Sequence, residues 1–231
     1  MMLNDPKTLL FALLGGIVPS LLWLWFWLKE ERTEKEPKKI ITAVFILGMI
    51  SVIFVIPLQK FIQANVLDAN TELALWAGVE EIIKYLVVVI ILWNTRFIDR
   101  PIDWPIYLIT SALGFAALEN TMFLLKPFSV GETTVGLLTG SLRFLGSTLL
   151  HSIASAIIGI LLGLSFHLNS FFRKIYLIIG IILATALHTV FNFFIINNKG
   201  SDFISVFAFL WVVTIIIMLL FEKLRRMSGE N

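Results

Sequence analysis

The run Phe203–Phe221 reads FISVFAFLWVVTIIIMLLF and carries no charged residue from end to end. A helix needs roughly 20 apolar residues to cross the hydrocarbon core of a bilayer, so this stretch predicts a membrane span. Six further stretches of the same character precede it: about Thr8–Leu28, Ile40–Leu58, Leu73–Trp93, Trp104–Leu125, Leu142–Phe166 and Ile175–Ile196, the fifth able to begin as early as Val135. None shows the dyad alternation of a barrel strand. In lipid, that leaves the helix as the way to satisfy every backbone group.

Composition agrees with the spans. The 231 residues are 58% hydrophobic and 15% charged, where a soluble domain runs about 45–50% and about 25%. With a mean hydropathy of +0.91, too few polar residues remain to cover a water-facing surface. A disordered chain is excluded on the same grounds. The absence of cysteine excludes a disulfide scaffold and a Cys-ligated zinc site. A net charge of +2 is too small to point to nucleic acid. The expected fold is therefore all-α, a polytopic membrane bundle of about seven transmembrane helices forming one domain over residues 1–231. The first span lacks a small-residue cleavage pattern and ends in Trp23, Trp25 and Trp27, so it reads as a retained span with an interfacial aromatic belt. With no sizeable loop, function is expected within the membrane or at its surface.

The connections predict an orientation. Those after spans one, three, five and seven hold Lys29, Arg32, Lys35, Lys38, Lys39, Arg96, Arg100, Arg173, Lys174, Lys223, Arg225 and Arg226; the opposite side holds Lys7, Lys60, Lys126 and Lys199. By the positive-inside rule the N-terminus is outside and the C-terminus cytoplasmic.

Against this background, ionisable residues inside spans stand out, since each costs on the order of 2.5–3.5 kcal/mol at the bilayer centre. They are Glu80, Glu81 and Lys84 in span three, Glu119 with Asn120 in span four, Arg143 and His151 in span five, and His188 with Asn192 in span six. Given the helix directions, Glu80 lies roughly 15 Å, Glu119 roughly 9 Å and His188 about 13 Å below the outer surface, with His151 roughly 12 Å past Arg143. Four helices thus place acids and imidazoles in one layer. Plainer readings exist for single members. Glu80 and Lys84, four apart, suit an internal ion pair, but that leaves Glu81 and Glu119 unexplained. His151, Ser155, Gly159 and Gly163 form a small-residue packing stripe, as do Gly180, Ala184, His188 and Asn192. Arg143 suits an interfacial snorkelling side chain, and Asn120 an interhelical donor.

The set lacks a nucleophilic serine elbow, a glycine-rich phosphate cradle, an HExxH motif and a pair of intramembrane aspartates. What remains is an acid–base kit. A buried carboxylate can accept a proton from water near neutral pH, and His188 with Asn192 one turn later offers donors to a developing oxyanion. Such a set can hydrolyse an amide without a covalent intermediate. Glu80, Glu119, His151 and His188 are also able to form a carboxylate–histidine zinc site, and equally to act without metal. A proton-coupled transporter or receptor would bury similar groups, but repeated halves or broken helices around a midplane site are not evident.

Four stretches carry a resemblance: Glu80-Glu81-Ile82-Ile83-Lys84 (EExxK), Phe115 to Glu119-Asn120 (FxxxE), His151, and His188-Thr189-Val190-Phe191-Asn192 (HxxxN). In this order on successive helices, within about residues 73–197, they make the chain resemble the PrsW family of intramembrane proteases, relatives of CAAX prenyl endopeptidases and bacteriocin-immunity membrane proteins. The resemblance implies a multi-pass protease of the bacterial plasma membrane. Its partner would be a single-span substrate of the anti-sigma factor type, cut first near the extracytoplasmic face. It further implies Glu80 as general base, Glu81 and Lys84 as its tuning partners, and His188 with Asn192 on the oxyanion side. The CAAX branch, whose members mature peptides, ends its second motif in His; here that place is Glu119, so imidazole assistance would come from His151. A scaffold relative without activity is expected to have lost part of the set, which is intact.

Overall fold

The computed structural model describes residues 6–31, 36–93, 95–129, 134–135, 143–197 and 203–229. Arg32, Lys35 and Lys199 of the charge count, and Leu142 of the fifth predicted span, lie outside the described residues. Among the described residues are seven long helices and no strand: α1 (Pro6–Glu30), α2 (Lys38–Asn65), α3 (Ala69–Leu92), α4 (Asp103–Ser129), α5 (Leu149–Leu164), α6 (Ser170–Asn197) and α7 (Phe203–Met227), with a π-helical turn, Arg143–Thr148, leading into α5. Each predicted span coincides with one of these helices to within seven residues at either end, the fifth including the π-helical turn.

Six of the seven are long and apolar enough to cross a membrane; α3 is the exception. Every 18-residue window of α3 contains Glu80, Glu81 and Lys84, and all three are buried. The helix keeps its length, packs on α2 and α6, and turns its charges into the bundle. Its start is set by Asp68, whose carboxylate accepts from the Thr71 hydroxyl (2.6 Å) and backbone N–H (2.8 Å). These bonds cap the helix and hold the Asp68 carboxyl below its ordinary value.

Helices α4 and α5 form the centre. In α4 72% of the span is buried, and in α5 with its π turn 78%, whereas the corresponding figures for α1, α2, α6 and α7 run from 22% to 39%. The outer helices present apolar side chains such as Phe54, Phe61, Ile90 and Leu219 outward, as a lipid-facing surface requires. Close approach depends on glycine. Gly114 of α4 lies against the backbone of Phe45, and Gly48 of α2 against that of Ser111, so a Cβ at either would overlap main-chain atoms. The predicted stripe on α5 packs in the same manner, with Gly159 against the backbone of Pro105.

At the opposite end from the site described below, Arg100 gathers carboxylates from three segments. Its Nη2 lies 3.2 Å from Glu31, 3.0 Å from Glu36 and 2.9 Å from Asp103, and Tyr107 donates to Glu36. Burial disfavours the charged guanidinium, but Asp103, Glu36 and Glu31 outweigh it and push Arg100 above its ordinary value. The knot ties the α1–α2 connection to the start of α4.

Candidate active site

Helix periodicity places Glu80, Glu81 and Lys84 on one side of α3, facing α4, α5 and α6. Glu81 is fully buried and fully engaged. Its Oε1 accepts from Lys84 Nζ at 2.7 Å and from His188 Nδ1 at 3.1 Å, and its Oε2 from Ser155 Oγ at 2.7 Å. Lys84 Nζ also reaches His151 Nδ1 at 2.8 Å and sits over the Phe115 ring, 4.4 Å from its centroid. Lys84 as an ammonium has only donors to offer. His151 Nδ1 therefore accepts, and its Nε2–H donates to Glu119 Oε2 at 3.1 Å. By the same reasoning the Glu81 carboxylate accepts from His188 Nδ1–H, which leaves His188 Nε2 without a proton in the neutral ring.

Glu80 is placed differently. One carboxylate oxygen, Oε1, accepts from Gln59 Nε2 at 2.9 Å. The other, Oε2, is buried without a hydrogen-bond partner. It lies 3.8 Å from His188 Nε2, 4.0 Å from His151 Nδ1 and 3.6 Å from Lys84 Nζ. A buried carboxylate oxygen left open is costly and invites a water proton, a ligand or a cation.

Glu80, Glu119, Arg143, His151, His188 and Asn192 line one cavity of about 580 Å³, walled by apolar side chains including Val55, Trp76, Phe123 and Phe191. The sequence-derived residues thus come together, six in one connected cluster and Asn192 beside them on the cavity wall. Asn192 has no hydrogen-bond partner among the described residues.

Two residues read differently from expectation. Arg143, expected to snorkel at the interface, turns inward: it pairs with Glu119, donates from Nε to Asn120 Oδ1 at 2.5 Å and from Nη2 to Ser147 at 3.1 Å, and stacks on Phe123. It belongs to the π-helical turn, whose extra residue changes the face it presents. Asn120, bonded to Arg143 and donating to Thr148 at 2.8 Å, is an interhelical linker as expected. Gln59 carried no signal in the sequence beyond being polar near the end of a span.

The donor set suits a metal. Glu80, His151 and His188 each offer one ligand atom, all within 4.8 Å of one another, and a Glu with two His is a zinc-hydrolase ligand set. The open Oε2 of Glu80 fits a ligand role, and Glu81 orients His188 by accepting from its Nδ1, as a carboxylate behind a metal-binding histidine does. Lys84 Nζ, 2.8 Å from His151 Nδ1, would compete with an ion for that nitrogen, which lies 4.0 Å from Glu80 Oε2. Glu119, included in the sequence-derived set, lies outside this group; Arg143 and His151 occupy it.

The family described as PrsW family intramembrane metalloprotease matches residues 36–221. The chain belongs to the PrsW family. It is 29% identical over 196 residues to the protease PrsW of Geobacillus kaustophilus, covering 82% of each chain. With the protease PrsW of Oceanobacillus iheyensis the identity is 28% over 231 residues, covering 96% of this chain and 98% of the relative. That of Clostridioides difficile is 26% identical over 211 residues, 88% of this chain and 82% of the relative. No solved structure matches the chain. As a PrsW-family member it is a multi-pass bacterial membrane protease, and its candidate site is the cavity lined by Glu80, Glu119, His188 and Asn192 of the three motifs, with Glu81 and Lys84 bonded behind it.

Proposed function

We propose that this PrsW-family protease hydrolyses a peptide bond near the extracytoplasmic face of a single-span membrane protein of the anti-sigma factor type, with Glu80 activating water. The observation that carries the reading is the open Oε2 of Glu80, a buried acceptor facing two imidazoles on the wall of an apolar cavity.

In this reading a water at Oε2 gives its proton to Glu80 as the oxygen attacks the substrate carbonyl carbon. The Asn192 amide faces the developing oxyanion; in the neutral ring, whose proton is on Nδ1 and held by Glu81, His188 Nε2 has no proton to donate, so only a doubly protonated His188 would join it as a donor. Glu80 then returns the proton to the leaving amine nitrogen, so base and acid are one group. Glu81 takes no proton; it fixes Lys84 and His188 at once. Lys84 and Glu119 hold the His151 ring from its two nitrogens. The apolar walls suit an unwound stretch of a transmembrane substrate and restrict competing water. Were zinc bound, Glu80, His151 and His188 would hold it, Glu80 being then a ligand in place of the base, and the ion would supply a more acidic water.

The positive-inside count supports an outer location, since the cavity lies where α2 ends and α3 begins, away from the basic connections. Purified protein in proteoliposomes, offered a single-span anti-sigma-type substrate, should release fragments whose new termini map to the outer side of the substrate's span. A cut on the cytoplasmic side, or no cut in any such substrate, would refute this function.

A further inference from the structure

Gln59 belongs to none of the motifs and comes from α2, a helix that contributes no ionisable group to the site. We propose that Gln59 is a positioning residue for Glu80, holding one carboxylate oxygen so that the other is presented to the cavity. The inference rests on the reading of Glu80 as the proton-accepting group.

The two oxygens of Glu80 have different surroundings. Oε1 accepts from Gln59 Nε2 at 2.9 Å, while Oε2 has no hydrogen bond and faces His151 and His188. A carboxylate only accepts, so the amide must turn its NH2 toward it. The terminal torsion of a glutamate is broad and shallow. Burial alone would let the carboxylate plane turn, and Lys84 Nζ at 3.6 Å from Oε2 would draw that oxygen away from the cavity. The Gln59 donor selects the orientation that keeps Oε2 open.

Gln59 is itself held in place. The Trp76 indole N–H donates to the Gln59 backbone carbonyl at 3.1 Å, and Trp76 stands one turn before Glu80 on α3. The end of α2 is thus pinned to the face of α3 that carries Glu80. The side chain is not needed to glue the two helices. Val52 and Val55 of α2 pack with Val79 and Ile83 of α3 below it, and the Trp76 bond uses only the Gln59 main chain. The amide is left on the cavity wall, beside the carboxylate.

The test uses the full chain in proteoliposomes and a synthetic single-span peptide with a donor–quencher pair flanking its outer juxtamembrane segment. Gln59→Met keeps length and bulk but has no donor; Gln59→Glu sets a second carboxylate against Glu80. For Gln59→Met, kcat should fall about tenfold to a hundredfold, the range for loss of a hydrogen bond to a charged group, with KM within about twofold. Gln59→Glu should fall further. Wild-type kcat in Gln59→Met, or a rise in KM without change in kcat, overturns the proposal. A thermal cycle needs no substrate. Gln59→Met should lower Tm by about 3–12 °C in the wild-type chain and leave it unchanged in a Glu80→Ala background; equal shifts in both backgrounds mean packing alone and overturn it as well. Failure of the underlying reading shows separately, as turnover that persists in Glu80→Gln.

Discussion

At the residue scale the site turns on which ring nitrogens carry protons. Lys84 donates into His151 Nδ1 and Glu81 accepts from His188 Nδ1, so the two imidazoles present different faces to the cavity. His188 can donate to an oxyanion only when both nitrogens are protonated, whereas the Asn192 amide donates as it stands. Loss of one oxyanion donor typically costs about 10²–10³ in rate. His188→Ala and Asn192→Ala should each depress kcat on that scale, with substrate still co-purifying; unchanged turnover in either assigns that residue to packing. The metal question sits on Lys84. Its ammonium sits on His151 Nδ1, where a zinc ion would compete with it, so Lys84→Met should bind zinc on the order of tenfold more tightly than wild type, a change of the size that residues bonded to metal ligands produce. Equilibrium dialysis with elemental analysis reads this directly, and equal affinities would remove the competition. Turnover of the wild type should survive prolonged chelation; loss that zinc restores would make Glu80 a ligand. Six of the seven candidate residues stand out in the sequence because an ionisable group inside a span is conspicuous, and Asn192 through its i,i+4 spacing from His188. Gln59 does not, since a glutamine near a helix end needs no explanation until its partner is seen.

At the scale of elements, apolar runs located each long helix among the described residues, because a lipid-facing helix needs length and hydropathy; α3 was found too, although its three buried charges set it apart from the other six. The apolar runs could not order the helices. That α4 and α5 are central shows in their burial, 72% and 78% of the span, and the close approaches at Gly48, Gly114 and Gly159 that go with it are read from no hydropathy window. The inward turn of Arg143 was hidden for a related reason: one π-helical turn changes the face by about one residue, and depth counted at a uniform rise places it at the interface. Gly114→Leu forces a side chain against the main chain of Phe45. Overpacking of this kind costs about 1–3 kcal/mol, to be seen as a lower Tm in detergent and reduced accumulation. An unchanged Tm would show that α2 and α4 are free to move apart.

At the scale of the whole molecule an orientation in the membrane meets the chemistry of the site. The orientation can be tested directly because the chain has no cysteine of its own. Leu67→Cys, exposed between α2 and α3, should react with a membrane-impermeant maleimide in intact cells. Arg96→Cys, in the α3–α4 connection and exposed, should react only after permeabilisation. The reverse pattern would put the cavity in the cytoplasmic leaflet. The chemistry rests on one oxygen atom. Glu80→Gln preserves the shape of the side chain but cannot take a proton from water. The deciding measurement is cleavage of a reconstituted single-span substrate by wild type and Glu80→Gln, with membrane levels matched and products mapped by mass spectrometry. The account predicts a cut on the outer side by wild type and none by Glu80→Gln; near-wild-type turnover in the variant would contradict it.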